Sequence, residues 1–307
     1  MKARSLHVGF VALSLLCRPA LAQDDEGEDG PRTIGSVDVS AFDWRREDTE
    51  WRSPTVIERD HMRALAHDLV QGPEGCSERG LRRTRRRVEE LHFRMDVVDV
   101  RGQSVILVRE GDDAFGAGLL AVRCGPAEPI VWQAPHPFFD LGTGDLVLQW
   151  FVEGDARAAQ WSTSHRFRAT EDELREDDVH PADVADEPGS LFQAATVGLL
   201  SGNPDLRFVQ VHGYAKRSAP RYEAVVSSGD SRYPLREVSA RLDGLLGPVA
   251  AFGIVDLPLG GQQNAQGRVL PIGTFLHLEL SPKSRDRLSE DETLRRRMAR
   301  AIGDGPW

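Results

Sequence analysis

The stretch Arg207-Phe208-Val209-Gln210-Val211-His212, followed by Gly213, reads as a strand buried on both faces. Phe208, Val209 and Val211 place apolar side chains on both sides of the run, as a central strand of an α/β sheet does. The run ends in a histidine, and Gly213 leaves space beside that ring for a metal ion or a substrate. Other apolar runs of strand length end in a similar way. Residues 129–133 lead into Ala134-Pro135-His136-Pro137-Phe138-Phe139-Asp140, and residues 158–162 lead into His165-Arg166. The run Phe275-Leu276-His277-Leu278-Glu279-Leu280 carries its acid within the strand itself. Sites in open α/β sheets are built at strand ends, so His136, Asp140, His212 and Glu279 form the candidate site.

Two imidazoles and one carboxylate are a common ligand set for catalytic zinc, because nitrogen and oxygen donors hold the ion and leave a fourth position for water. His136, Asp140 and His212 are the candidate ligands on this reading. Glu279 is the candidate general base that takes the water's proton. An ionised carboxylate between Leu278 and Leu280 is costly unless it is paired or faces a cavity. The two-residue period of a strand turns His277 to the same face. Pro135 and Pro137 fix the backbone on either side of His136. The competing readings are core histidines for His136 and His212, and a solvated edge strand for Glu279. Asp140 has two rival roles, a turn cap before Gly142 or an acceptor that orients the His136 ring.

Along the rest of the chain, helices are expected over 55–71, 77–93, 146–152, 190–200, 233–246 and 282–302. Further strands are expected over 95–100, 103–109, 117–123 and 223–226, with Arg101-Gly102 as a hairpin turn. The alternation predicts a single α/β domain over residues 51–307, built on a mostly parallel twisted sheet with helices on both faces. Residues 171–188 are acidic and hold two prolines and few apolar residues. They read as a surface loop or lid, with His180 exposed within it.

Met1-Lys2-Ala3-Arg4, the apolar residues 8–17 and Ala20-Leu21-Ala22 read as a secretory signal peptide over 1–22. An acidic flexible leader is expected over 23–50, because its opening run Asp24-Asp25-Glu26-Gly27-Glu28-Asp29-Gly30-Pro31 is too charged to pack. The mature protein is therefore expected to be periplasmic or secreted. No later run reaches the ~20 apolar residues of a membrane span. Removing the signal leaves Cys76 and Cys124 as candidates for one disulfide in an oxidising compartment. A cysteine zinc site is not expected, since no Cys-x-x-Cys pair is present. The formal net charge of −10 argues against nucleic acid or an anionic membrane as partner. The run Arg82-Arg83 with Arg85-Arg86-Arg87 reads as a solvated helix face, with Leu81, Val88 and Leu91 turned inward. The expected partner is a small-molecule or peptide substrate.

The ordered series Pro135-His136, His165-Arg166, His212-Gly213, Ser228-Gly229-Asp230-Ser231-Arg232, Leu259-Gly260-Gly261, Gly267 and Leu278-Glu279-Leu280-Ser281 resembles the zinc carboxypeptidase-like hydrolases. Among them it is most similar to the N-formylglutamate amidohydrolase family. The resemblance covers roughly the C-terminal half of the chain. It implies zinc-dependent hydrolysis of an amide next to a carboxylate, with His136 and His212 as ligands and Glu279 as base. Carboxypeptidases place two residues between the first histidine and its carboxylate partner, whereas three separate His136 from Asp140. The amidohydrolases usually show Asn-Arg where this chain has His165-Arg166. Arg166 is the implied clamp for a substrate carboxylate, since its planar fork makes two parallel hydrogen bonds. Asn264 and Arg268, in the polar glycine-bearing loop that follows Gln263, are further candidate substrate contacts.

A serine hydrolase is disfavoured by the lack of a Gly-x-Ser-x-Gly elbow. A phosphate loop is disfavoured because no Lys-Ser or Lys-Thr follows Gly260-Gly261. The alternative from another class is a catalytically inactive secreted binding protein on the same scaffold, which would purify without stoichiometric zinc.

Overall fold

Successive residues of a strand point to opposite faces, so an apolar run buried on both sides feeds two cores. The computed structural model, which describes residues 33–34, 36–42, 51–71, 74–111, 118–169, 180–305 and 307, shows this division throughout. The expected signal peptide over 1–22, the acidic run 24–31 and residues 171–179 of the expected loop lie outside the described residues.

A small antiparallel pair, β1 (Thr33–Ile34) and β2 (Val37–Asp38), comes first. The strands β3 (Phe93–Val100), β4 (Gln103–Glu110), β5 (Leu119–Arg123), β6 (Glu128–Ala134), β7 (Ala156–Trp161), β8 (Arg207–Gly213), β9 (Ala224–Ser227), β10 (Val249–Ala251) and β11 (Phe275–Leu280) then form one sheet. Their order is β10-β9-β11-β8-β6-β7-β5-β4-β3. The central strands β11, β8, β6 and β7 run parallel, as expected. Toward the edges the pairing turns antiparallel, at β11 with β9 and from β7 through β5 and β4 to β3.

Helices cover both faces. On one side α1 (Val56–Val70), α2 (Glu78–Glu90) and α4 (Leu191–Gly202) share a core with Ile106, Val108, Val131, Phe208 and Phe275. On the other, α3 (Thr143–Glu153), α5 (Arg236–Leu246), α7 (Pro282–Glu290) and α8 (Glu292–Gly303) pack on Val105, Leu107, Trp132, Val209 and Leu278. Helix starts follow the local chemistry. Thr55 and Glu58 form a reciprocal capping box on α1, and the Ser190 side chain accepts from Gln193 N at the start of α4. The single helix expected over 282–302 is two, because Asp291 ends α7 and its side chain caps α8 through Leu294 N. Strand β10 lies in a stretch given no element from the sequence, and the short helix α6 (Ala265–Val269) lies in the polar glycine-bearing loop, each too short for a periodic pattern to show.

The packed chain begins before the expected boundary at residue 51. Val37, Val39 and Phe42 are buried, and the Phe42 ring meets Phe151 and Trp161 at 6.0 and 6.3 Å. These anchors are isolated apolar residues among polar ones, so composition alone read them as leader. Cys76 and Cys124 form a disulfide with a Cα–Cα distance of 5.6 Å. Among the described residues, no helix is long and apolar enough to cross a membrane.

The face beneath α1 and α4 changes character along the strands. It is apolar at Val131, Ala158, Phe208 and Phe275 and then polar at Gln133, Gln160, Gln210 and His277, two residues further on. Strand register aligns Gln160, Gln133, Gln210, His277 and Ser227 in one row across five strands. One step beyond that row, Glu279 pairs with His212.

Candidate functional site

Strand β6 delivers His136 just beyond its last residue, and the chain then closes one helical turn. The Asp140 backbone N–H donates to the His136 carbonyl at 2.7 Å. With three residues between them, a turn of this kind brings the two side chains to the same side. Asp140 Oδ2 lies 3.6 Å from His136 Nδ1 and 3.1 Å from His212 Nδ1, and all three residues are buried. The two imidazole rings meet edge to face at 5.0 Å between centroids. The ligand atoms that these three residues offer all lie within 4.8 Å of one another.

Each imidazole is held from its far side. His136 Nε2 donates to Asp183 Oδ1 at 2.6 Å, and His212 Nε2 contacts Gln210 Oε1 at 2.9 Å. Because Nε2 carries the proton in the bond to Asp183, the neutral His136 ring has its lone pair on Nδ1. That buried atom has no hydrogen-bond partner among the described residues. That buried nitrogen once deprotonated, a second imidazole and a carboxylate oxygen fit a divalent transition ion such as zinc, and rings anchored through their other nitrogen are usual around such ions.

His212, His277 and Glu279 form a second group of ligand atoms within 4.8 Å. Glu279 Oε1 lies 3.8 Å from His277 Nε2, and the His212 and His277 rings are 4.5 Å apart. Glu279 Oε2 and His277 Nδ1 are buried with no hydrogen-bond partner among the described residues.

Charge and burial set the protonation. Burial pushes the Glu279 carboxyl up to about 8, aided by the negative charge of Asp140. Burial opposes the charge on His136, but Asp140 and Asp183 outweigh it and raise that imidazole to about 9. Burial also works against ionised Asp140, yet contacts with His136 and His212 hold it well below the usual carboxylate range. His212 and His277 are both lowered, chiefly by burial.

Arg166 lies after β7 and ion-pairs through Nη2 with Asp183 Oδ2. Its guanidinium sits over the Phe139 and Phe167 rings at 5.2 and 5.3 Å. Asp183 thus joins Arg166 to His136. The sequence reading missed this residue because it lies in the stretch read as a surface loop. Residues 180–188 of that stretch are packed instead, with Ala182, Asp183, Val184 and Ala185 buried. Pro181-Ala182-Asp183-Val184-Ala185, four small or apolar residues around one acid, is the signal that an average over the acidic stretch concealed. His180 is half-buried, with its ring 5.6 Å from that of Phe167.

The remaining candidates are Asn264 and Arg268. Asn264 is buried, caps α6 through Gly267 N and donates to Gln210 Oε1. Arg268 is exposed and bonds to the Gln263 side chain and the Gln262 carbonyl. The space beside Gly213 holds the Arg285 guanidinium, whose Nη1 would lie 2.3 Å from a Cβ at that position.

No protein-family model matches the chain. No curated protein matches it either. Among solved structures, the chain is similar to N-formylglutamate amidohydrolase from Ralstonia eutropha JMP134, with 14% identity and a TM-score of 0.39 over 62% of this chain and 98% of that one. It is also similar to the zinc-free apo form of YNDL, with 14% identity and a TM-score of 0.35 over 57% of this chain and 85% of that one.

Proposed function

We propose that this chain is a zinc-dependent hydrolase that cleaves an amide or peptide bond near a free carboxylate, in an N-acyl amino acid or a small peptide. One observation carries the reading: His136 Nδ1, buried and without a hydrogen-bond partner among the described residues, converges with His212 Nδ1 on Asp140 Oδ2. His136, Asp140 and His212 would hold the ion. When bound, zinc lowers the pKa of water toward ~7 and polarises a carbonyl.

Glu279 acts as the proton carrier. Its buried carboxyl keeps a proton near neutral pH in the metal-free protein, and a nearby cation favours the ionised form that a base requires. It takes a proton from the attacking water and passes it to the leaving nitrogen. His277, neutral because burial lowers it, lines the same side without adding charge. Arg166 is held on one edge by Asp183, which leaves N–H groups for a substrate carboxylate. The Cys76–Cys124 disulfide supports a setting outside the cytoplasm.

Elemental analysis of the purified protein, beside a screen of N-acyl amino acids and short peptides, tests the proposal. About one zinc per chain with turnover on some of these substrates is expected. Protein that takes up no metal and turns over none of them overturns it.

A further inference from the structure

We propose that Gln210 is a positioning residue that fixes His212 with its proton on Nε2, through a chain of buried side-chain amides whose direction is set by two backbone carbonyls. The amide oxygen and nitrogen of glutamine are told apart by their partners, and here the partners leave no freedom. Gln160 Nε2 donates to the Phe192 carbonyl at 2.8 Å, so Gln160 Oε1 faces the other way. Gln133 Nε2 donates to that oxygen at 3.1 Å, which turns Gln133 Oε1 toward Gln210. Gln210 Nε2 donates to it at 3.3 Å.

A second anchor gives the same answer independently. Gln266 Nε2 donates to the Val184 carbonyl at 3.0 Å, and Gln266 Oε1 accepts from Gln210 Nε2 at 3.0 Å. Gln210 Oε1 is thereby left facing His212 Nε2 at 2.9 Å, while Asn264 donates to the same oxygen. An amide oxygen only accepts, so Gln210 calls for the His212 proton on Nε2 and the lone pair on Nδ1, in competition with Asp140 Oδ2, an acceptor 3.1 Å from Nδ1.

The consequence is local and chemical. His212 Nδ1 faces Asp140 Oδ2 at 3.1 Å with an acceptor on each side, an arrangement that a cation between them would satisfy. With the proton on Nδ1 instead, the imidazole would donate to Asp140 directly and offer the ion no lone pair. The four glutamines are buried, so water does not scramble their direction. This inference deepens the metal-centre reading and rests on it for its purpose, but the tautomer itself is a property of the metal-free protein.

Two-bond 1H–15N correlation spectra of metal-free, histidine-labelled full chain, recorded where His212 is neutral, read the tautomer directly. Wild type is expected to show the Nε2–H form. Gln210→Met, which removes the acceptor, is expected to move the proton to Nδ1 beside Asp140 and to weaken zinc binding about 10–100-fold. Gln210→Glu, which keeps an acceptor, is expected to retain the Nε2–H form. An Nδ1–H signature in wild type, which needs no variant to fold, overturns the proposal, as does an unchanged tautomer in Gln210→Met. Nε2–H in a wild-type protein that binds no zinc supports the relay and sinks only the metal reading.

Discussion

Glu279 stands opposite His212 in the parallel pairing of β11 with β8, so a buried carboxyl and a buried imidazole share one face at the carboxyl ends of two central strands. The antiparallel pairing of β11 with β9 on its other side means that Glu279 is not on a sheet edge. The solvated-edge reading of this acid is thereby excluded. An acid in this place has a raised proton affinity because of burial, with Asp140 adding to the rise and His136, Arg285 and Arg166 opposing it.

His136→Ala and His212→Ala each remove one of three proposed protein ligands. Both variants are expected to lose stoichiometric zinc while keeping the fold, which elemental analysis and circular dichroism report together. Full zinc content in both would show the site to be misassigned.

Glu279→Gln keeps size but cannot take a proton. Turnover is expected to fall by ~10² or more with zinc still bound. Steady-state kinetics on zinc-replete protein measures this, and unchanged kcat would remove Glu279 from the mechanism.

The metal-free protein should show a pH dependence of stability with a definite sign. The Glu279 carboxyl is raised from 4.5 to about 8 in the fold, so the stability its protonated form contributes is fully present below 4.5 and is lost as pH rises through 8. His136, raised from 6.5 to about 9, acts with the same sign in a higher window. Thermal melts of metal-free wild type and Glu279→Gln, compared across these windows, are expected to separate by the order of a few kcal/mol above pH 8, with wild type the less stable. A constant difference across the whole range would contradict the burial argument. Zinc should also bind more tightly as pH rises toward about 9, because it displaces the proton held by His136.

Asp183→Asn removes the carboxylate that holds both His136 Nε2 and Arg166. Zinc affinity is expected to drop about 10–100-fold, with KM rising as Arg166 loses its anchor. Chelator competition measures the first effect, and retention of wild-type affinity would confine Asp183 to packing.

The Cys76–Cys124 bridge closes a separation of 48 residues. By the chain-entropy relation this is worth about 4 kcal/mol, so the double Cys→Ser variant should unfold at clearly lower denaturant. An unchanged midpoint would refute that contribution. Intact mass of protein exported by a bacterial host, with and without reductant, checks both the bridge in the exported form and the proposed start at Gln23.

The sequence by itself determined what depends on neighbours along the chain. Apolar runs such as Arg207–His212 and Phe275–Leu280 declare buried strands because both faces of each run must be covered, and caps such as Thr55 and Ser190 declare helix starts because orphan N–H groups need acceptors. His136, Asp140, His212 and Glu279 could be named as a group because each stands in or just after such a run. Only the tertiary structure decided what depends on distance across the chain. Val37 and Phe42 became core residues because other elements cover them. Asp183 came to His136 from 47 residues away, and Arg285 came to lie against Gly213. Asn264 turned from a candidate substrate contact into a helix cap bonded to Gln210. The direction of the glutamine chain is the extreme case. It follows from carbonyls of Phe192 and Val184, backbone atoms whose chemistry is the same in every residue, so no reading of side chains along the sequence could have shown where they point.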